Sequence, residues 1–426
     1  MMKFKPYKFA DLYDIGSGIS STKEQAGHGS PFASFSTVFN NYILPDELPD
    51  LMETSEREQK TYSIKKGDIL ITRTSETIDE LAMSSVALKD YPNATFSGFV
   101  KRLRPKQNNI TYAKYMAFYL RSPYFRKIID NNTNMTLRAS FNEDIFSNIE
   151  ILLPDYNIQK EIGDFLCSIE EKIRHNRELK EKLDKKIRLL YQYWFLQYEF
   201  PNKEGKPYLS SGGEMMWCKE YRKDIPKGWK VKKLSKIGKV VSGGTPSTSK
   251  EEYFCKEGIA WITPKDMADT DNKYIRHGQI DITQEGLKNS SANLMPKGSV
   301  LLTSRAPIGY VGIADNEICT NQGFKSIVPN NMEEKEYIYY TLLFMVPYLK
   351  SLGTGSTFAE LSKEVFSQVD IIIPEESLLK EFCEKAQLIG NRINQCEKEN
   401  ELLIKTRDYL IPLLISGQVK MREYCK

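Results

Sequence analysis

Two arginines stand just beyond apolar runs that read as strands. Thr72-Arg73-Thr74 follows Gly67-Asp68-Ile69-Leu70-Ile71, and Thr303-Ser304-Arg305 follows Gly298-Ser299-Val300-Leu301-Leu302. A guanidinium at such a loop tip can grip a guanine edge or a phosphate with two parallel hydrogen bonds. It can equally tie the loop to its own domain through a salt bridge. Because arginine recurs in both places, phosphate or structural use ranks ahead of base reading. Gly243-Gly244-Thr245 offers backbone N–H groups to a phosphate but lacks the GxxxxGK spacing of a nucleotide loop, so a turn with a modest contact role is the better reading. Asn321-Gln322-Gly323 could aim amides at adenine, or staple a buried loop. Lys265 and Lys325 are candidate phosphate contacts, or simply exposed lysines. The candidate nucleic-acid contact set is therefore Thr72, Arg73, Thr74, Gly243, Gly244, Thr245, Lys265, Ser304, Arg305, Asn321, Gln322 and Lys325.

Catalytic chemistry finds little support. His28, His175 and His277 have neither metal-ligand spacing nor a recurring partner. Pro154-Asp155 followed by Glu170-Glu171-Lys172 has the composition of a nuclease magnesium site, yet its Glu and Lys fall on a long helical pattern, and their repeat counterparts are Gly390 and Arg392. No catalytic residue and no metal site is assigned. The seven cysteines (Cys167, Cys218, Cys255, Cys319, Cys383, Cys396 and Cys425) contain no CxxC pair, which suits reduced thiols and a cytoplasmic protein. Trp194, Trp229 and Trp261 are better read as packing groups than as base-stacking platforms.

The elements that must position these residues occur twice. The strand ending at Thr72 matches the one ending at Thr303 at an offset of 231, Phe96-Ser97-Gly98-Phe99 matches Asn321-Gln322-Gly323-Phe324 at 225, and Phe146 through Pro154 matches Phe366 through Pro374 at 220. Each half ends in an apolar strand stopped by proline. After each proline comes a long heptad pattern. Ile162, Leu166, Ile169, Ile173, Asn176, Lys180, Leu183, Ile187, Leu190 and Trp194 form the first a/d stripe, and Phe382, Ala386, Ile389, Ile393, Cys396, Asn400, Leu403, Arg407, Leu410 and Leu414 the second, eight of ten apolar in each. Asn176 and Lys180 can fix helix register, or sit where the coil opens. Nine basic and nine acidic residues balance between Asp155 and Phe200, as a solvated flank requires. The first helix, from about Asn157 to Tyr198, would span roughly 60 Å; Pro201 stops it, and Ser416-Gly417 stops the second.

With 426 residues, 40% hydrophobic content and a net charge of +4, the chain can fill two cores and is no blanket polycation. No run of about 18 apolar residues and no apolar leader suggest a membrane. The expected fold is α/β (α+β): a first globular domain over 1–154, a long helix over 155–200, a linker over 201–228, a second domain over 229–375, a second long helix over 376–416 and a tail over 417–426. Close domain termini would send the second helix back along the first as an antiparallel coiled coil, making the chain pseudo-two-fold symmetric. Such symmetry suits duplex DNA, with two half-sites about one turn, roughly 34 Å, apart and two equivalent docking positions for a partner.

Four blocks in the second half name a family. Pro226-Lys227-Gly228-Trp229 with Ser242-Gly243-Gly244-Thr245-Pro246-Ser247, then Trp261-Ile262-Thr263-Pro264-Lys265-Asp266-Met267, Leu302-Thr303-Ser304-Arg305-Ala306-Pro307-Ile308-Gly309, and Asn321-Gln322-Gly323-Phe324-Lys325 closely resemble a target-recognition domain of type I restriction-modification specificity subunits. The first half carries Thr72-Arg73-Thr74-Ser75-Glu76 instead of Ser-Arg-Ala-Pro-Ile-Gly and lacks the Gly-Gly-Thr-Pro block. The resemblance implies a non-catalytic DNA-binding subunit of a host-defence enzyme, reading an asymmetric bipartite double-stranded target. It implies two DNA-adenine methyltransferase subunits as partners, with restriction subunits in the full complex. S-adenosylmethionine, ATP and magnesium would sit on those partners, leaving this chain without a cofactor. A specificity subunit of a bipartite type II enzyme, or a standalone nuclease or coiled-coil protein, are the alternatives.

Overall fold

The computed structural model of the protein describes residues 2–75, 80–132, 139–141, 143–354 and 359–420. It divides into two units, one formed by Met1–Arg174 with Glu401–Lys426 and the other by His175–Asn400. Among the described residues no helix is long and apolar enough to cross a membrane.

In the first unit a four-stranded antiparallel sheet runs in the order Tyr13–Ser17, Val100–Pro105, Ile69–Thr72, Ser84–Val86. The apolar run Ile69-Leu70-Ile71 is central and covered on both faces. Period-two alternation sends Ile69 and Ile71 into the core beneath the long helices and Leu70 into a second core with Val38, Leu44 and Phe96. A ribbon of Phe4–Lys8 and Glu150–Pro154 closes the unit and delivers the chain into the first long helix, Tyr156–Tyr191.

The second unit repeats the plan. Gly238–Ser242, Lys325–Pro329, Val300–Ser304 and Ile308–Ala314 form the antiparallel sheet, and Tyr274–Ile275 adds a fifth, parallel edge strand. Val300 and Leu302 again face the helix-side core while Leu301 faces the smaller one. Lys230–Lys233 pairs with Asp370–Ile373 and leads into the second long helix, Glu376–Ile415. In the stretch 201–228, Met215–Cys218 and Lys223–Pro226 pair as an antiparallel ribbon.

The heptad stripes fill these cores. Ile162, Leu166, Ile169 and Ile173 are buried with Leu414 in the first unit, and Ile187, Trp194, Phe382, Ala386 and Ile393 in the second. Trp194, Trp229 and Trp261 are all buried, which is the packing role. Within the second unit the helices pair antiparallel: Asn176 donates to Glu399 (2.8 Å) and Asn400 (3.0 Å), while Tyr191 and Trp194, farther along, meet Phe382. In the first unit Glu170 pairs with Arg407. The first helix closes earlier than its heptads suggest, in a π-helical turn over Gln192–Leu196, before Tyr198 takes a positive φ of 61°. The nuclease-like pattern also falls apart: Asp155 and Glu170 lie along one helix, about 22 Å apart at its rise per residue.

A buried ionic cluster fastens the second helix to the second unit. Asp315 receives Lys398 (2.8 Å), Lys297 (2.9 Å), Arg276 (3.1 Å) and the Asn394 amide (2.8 Å). Burial pushes its carboxyl up, but these partners outweigh burial and hold it at about 2. Stability from a depressed carboxylate is present above its unfolded value of 3.8 and is lost as pH falls through about 2. Asp315→Asn is therefore expected to cost about 1 kcal/mol at neutral pH, allowing for the solvent around the lysines. Urea unfolding of both proteins should show that gap narrowing below pH 3.8; a constant gap would assign the loss to packing.

Candidate nucleic-acid interface

Strand register, rather than motif matching, fixes which residues of the two units correspond. Tyr13 pairs with Pro105 as Gly238 pairs with Pro329, and Ile69 pairs with Leu103 as Val300 pairs with Ile327. The strand starting at Val100 is thus offset by 224 from its counterpart, one less than the glycine-to-glycine match suggested. Gly98 corresponds to Gln322, Phe99 to Gly323 and Lys101 to Lys325. Arg73 corresponds to Ser304, and Arg305 to Thr74.

Backbone hydrogen bonds repeat under this equivalence. Arg73 N–H donates to Phe99 O (2.8 Å) as Ser304 N–H donates to Gly323 O (2.7 Å), and Phe141 N–H to Arg73 O (2.7 Å) as Leu361 N–H to Ser304 O (2.9 Å). Ser97 N–H reaches Ala33 O (3.1 Å) and Asn321 N–H reaches Ile262 O (2.9 Å). Each unit thereby holds the exit of its doubly buried strand and the next turn in one cradle. A glycine marks the crossing. A Cβ on Gly18 would lie 2.1 Å from Ser97 O, and one on Gly243 would lie 2.0 Å from Asn321 O.

In the second unit this cradle gathers most of the candidate residues. Gly243 and Gly244 cross beneath the turn, the Thr245 hydroxyl is hydrogen-bonded to Gln322 Oε1, and Asn321 Oδ1 accepts from Gly323 N–H (2.9 Å). Gly244 O accepts from Trp261 Nε1 (3.0 Å), so the indole is part of the cradle wall. Lys325 is buried, with Nζ near Ser304 Oγ (3.4 Å) and Glu360 Oε1 (3.5 Å), and Arg305 meets Glu360 Oε2 (3.4 Å). Both cations are thus held by one carboxylate, which the sequence reading did not single out. Ser304 is fully buried. Lys265 is exposed on the short helix Pro264–Ala268, whose Pro264 packs beside Gly323.

In the first unit the corresponding rim is less neutralised. Thr72 is buried, its hydroxyl accepting from Met83 N–H (2.9 Å) and donating to Glu80 O (3.4 Å). Thr74 lies in the short strand paired with Ala139–Ser140; Glu76 of the sequence block lies outside the described residues. Arg73 is exposed, and among the described residues its guanidinium has no acceptor within hydrogen-bond reach. Lys101 donates to Ser17 Oγ (2.8 Å), and burial followed by the charge of Arg73 lowers its pKa. Lys101 and Phe99 were missed because a one-residue slip aligned glycine with glycine and hid the lysine that the two units share.

The two units thus share one backbone plan and differ at its rim, which carries Arg73 and Lys101 in the first and a buried Lys325 with Arg305, both held by Glu360, in the second. Comparison with known proteins agrees with that arrangement. A family model described as the type I restriction modification DNA specificity domain matches residues 1–185 and again 226–405. The MjaIX type I specificity subunit of Methanocaldococcus jannaschii is 43% identical over 183 residues, which cover 42% of this chain and 42% of that relative. The HindI specificity subunit of Haemophilus influenzae is 24% identical over 485 residues, covering 97% of this chain and 99% of its own. In fold, the chain is similar to the type I S subunit of M. genitalium, with a TM-score of 0.62 at 16% identity, covering 97% of this chain and 96% of that one.

The glycine crossing is open to direct test. Gly18→Ala and Gly243→Ala each force a Cβ into backbone carbonyls that cannot rotate away, and each is expected to destabilise its own unit by about 2 to 3 kcal/mol. Thermal unfolding of the full chain checks this, and midpoints equal to the parent's would contradict the close approach.

Proposed function

Because the chain belongs to the type I restriction-modification DNA specificity family, we propose that it reads an asymmetric bipartite target in double-stranded DNA, one half-site per unit. It would carry two DNA-adenine methyltransferase subunits on its helices, with restriction subunits joining in the full complex. The chain itself performs recognition. The methyl donor S-adenosylmethionine, ATP and magnesium belong on the partner subunits in this reading.

One observation carries the proposal: the cradle is the same twice and its rim is not. Residues shared by two readers of different sequences cannot encode the difference, so shared cations suit phosphates and variable side chains suit base edges. Lys101 falls in the first class, while Lys325, buried and held by Glu360, supports the cradle from within. Phe99 against Gly323, Gly98 against Gln322, Ser97 against Asn321 and Thr74 against Arg305 fall in the second. Buried Thr72 and Ser304 would then act by shaping the strand exit rather than by touching DNA. For the partners, Leu189 and Tyr409, 220 apart and so at matching helix positions, are both exposed apolar residues, at 53% and 69%. Solvent-exposed apolar groups at matching positions suit two copies of one protein.

Sequencing of modified bases in strains with and without the gene is expected to reveal a gene-dependent adenine-methylation motif of two unlike parts separated by an unread spacer. A continuous palindrome would defeat the two-reader geometry. Purification of the full chain identifies the enzyme type by what accompanies it, separate methyltransferase subunits or a fused methylase-nuclease. Lys101→Ala should weaken binding without changing the motif and reduce the slope of log affinity against log salt by about 1, whereas Lys325→Ala, which removes a buried lysine held by Glu360, should leave that slope unchanged. Titrations on the motif-bearing duplex at several salt concentrations measure it.

A further inference from the structure

Phe99 is 63% exposed, and among the described residues no other phenylalanine reaches the exposed class. Phenyl rings ordinarily supply core area, so an outward one on an ordered turn calls for a reason. A loose backbone does not provide it. The Phe99 carbonyl accepts from Arg73 N–H (2.8 Å), its own N–H donates to Ser97 Oγ (3.2 Å), and Val100 N–H donates to Ser97 O (2.9 Å). Phe96 and Val100 on either side are fully buried. The ring is therefore presented outward by a turn fixed at both ends.

Its neighbours narrow what it meets. Arg73 follows the strand Ile69–Thr72 and Lys101 lies in its paired neighbour Val100–Pro105; among the described residues neither makes a direct salt bridge, although the charge of Glu143 acts on Lys101. In the second unit the equivalent lysine and the rim arginine are both held by Glu360, and the ring's position is Gly323. Among the described residues, the exposed ring and the cations without a direct salt bridge thus occur in the same unit. A protein partner would have to bring its own carboxylates to both cations around the apolar contact. A duplex offers phosphates for the cations and, on the floor of its major groove, one apolar group among the base edges, the thymine methyl.

Building on the DNA-reading function above, we propose that Phe99 is a specificity-determining residue that reads one A·T pair in the first unit's half-site by apolar contact with the thymine methyl. Arg73 and Lys101 hold flanking phosphates. The second unit, with glycine at that position, has no equivalent contact.

The test uses the full chain with its co-purified methyltransferase subunits and the motif-bearing duplex found by modification sequencing. Each thymine of the bipartite motif is replaced in turn by deoxyuridine, which removes only the methyl. The parent protein should lose about fourfold in affinity at one position in one half-site, the worth of a buried methyl-sized group. Phe99→Ala should lose a similar factor on the thymine duplex and nothing further on the deoxyuridine one, while Phe99→Leu, still apolar, should keep most of the methyl dependence. In cells, Phe99→Ala should relax one letter of that half of the motif and leave the other half unchanged. The proposal fails if Phe99→Ala keeps the parent's methyl dependence and motif, if the relaxed letter is not an A·T pair, or if the variant loses its methyltransferase partners instead, which would make the ring a protein contact. Absence of any bipartite motif in the parent strain would instead remove the underlying function.

Discussion

The rim of each unit hangs on one peptide N–H, that of Arg73 or Ser304, at the end of the strand that both cores bury. Ile69–Thr72 and Val300–Ser304 cannot slide or turn over, because a one-residue slip would exchange Leu70 or Leu301 with its flanking partners and empty both cores at once. Arg73, just beyond the first strand, and its equivalent Ser304, the last residue of the second, are thereby fixed in height and direction. The N–H of each bonds the carbonyl of the next turn, Phe99 or Gly323, and its carbonyl receives Phe141 or Leu361 from a third segment. Three segments far apart in the chain are brought to one edge by hydrogen bonds that are indifferent to side chains.

That indifference is what allows one backbone plan to carry two different rims. A surface positioned by side-chain contacts would resist substitution, since each change would disturb its neighbours. Here the bonds that set the cradle run from backbone to backbone, and the rim can exchange phenylalanine for glycine or threonine for arginine without moving it. The exception is the crossing at Gly18 and Gly243, where carbonyl oxygens leave no room for a Cβ. The same residue type stands there in both units while the surrounding turn differs.

Much of this was legible in the residues. The doubling shows in repeated apolar strands and proline stops, and the helices show in heptads, because burial imposes a period on sequence. Register did not show. A shared glycine is a conspicuous mark, yet Gly98 and Gly323 are not equivalent, and only hydrogen-bond pairing with Tyr13–Ser17 and Gly238–Ser242 reveals that Lys101 and Lys325 are. Partners distant in sequence were equally hidden: nothing near Arg305 announces Glu360. The two polar residues of the first heptad stripe look alike as text and differ in use. Asn176 stays in the seam with Asn400, whereas Lys180 leaves it to bind Asp271 at 2.6 Å.

Each long helix also finishes a unit's sheet or core. The edge strand Tyr274–Ile275 has no further strand beside it, and its backbone would invite pairing with another chain. Glu397 of the second helix takes that place, accepting Lys273 N–H (2.7 Å) and Tyr274 N–H (3.1 Å). Burial pushes its carboxyl up to about 7 while the two N–H groups pull against that shift. Lys273 and Tyr274 in turn bond Glu336, and Gly390 lets the helix approach the Tyr274 hydroxyl and Glu336, where a Cβ would have no room. Moving the helix by one turn would strip the edge of its acceptor, strand Glu397 beside unpaired backbone, and drive the residues flanking Gly390 into that contact. The orientation of the second helix on the second unit is therefore specified by that unit's own sheet edge, in addition to the apolar seam that it shares with the first.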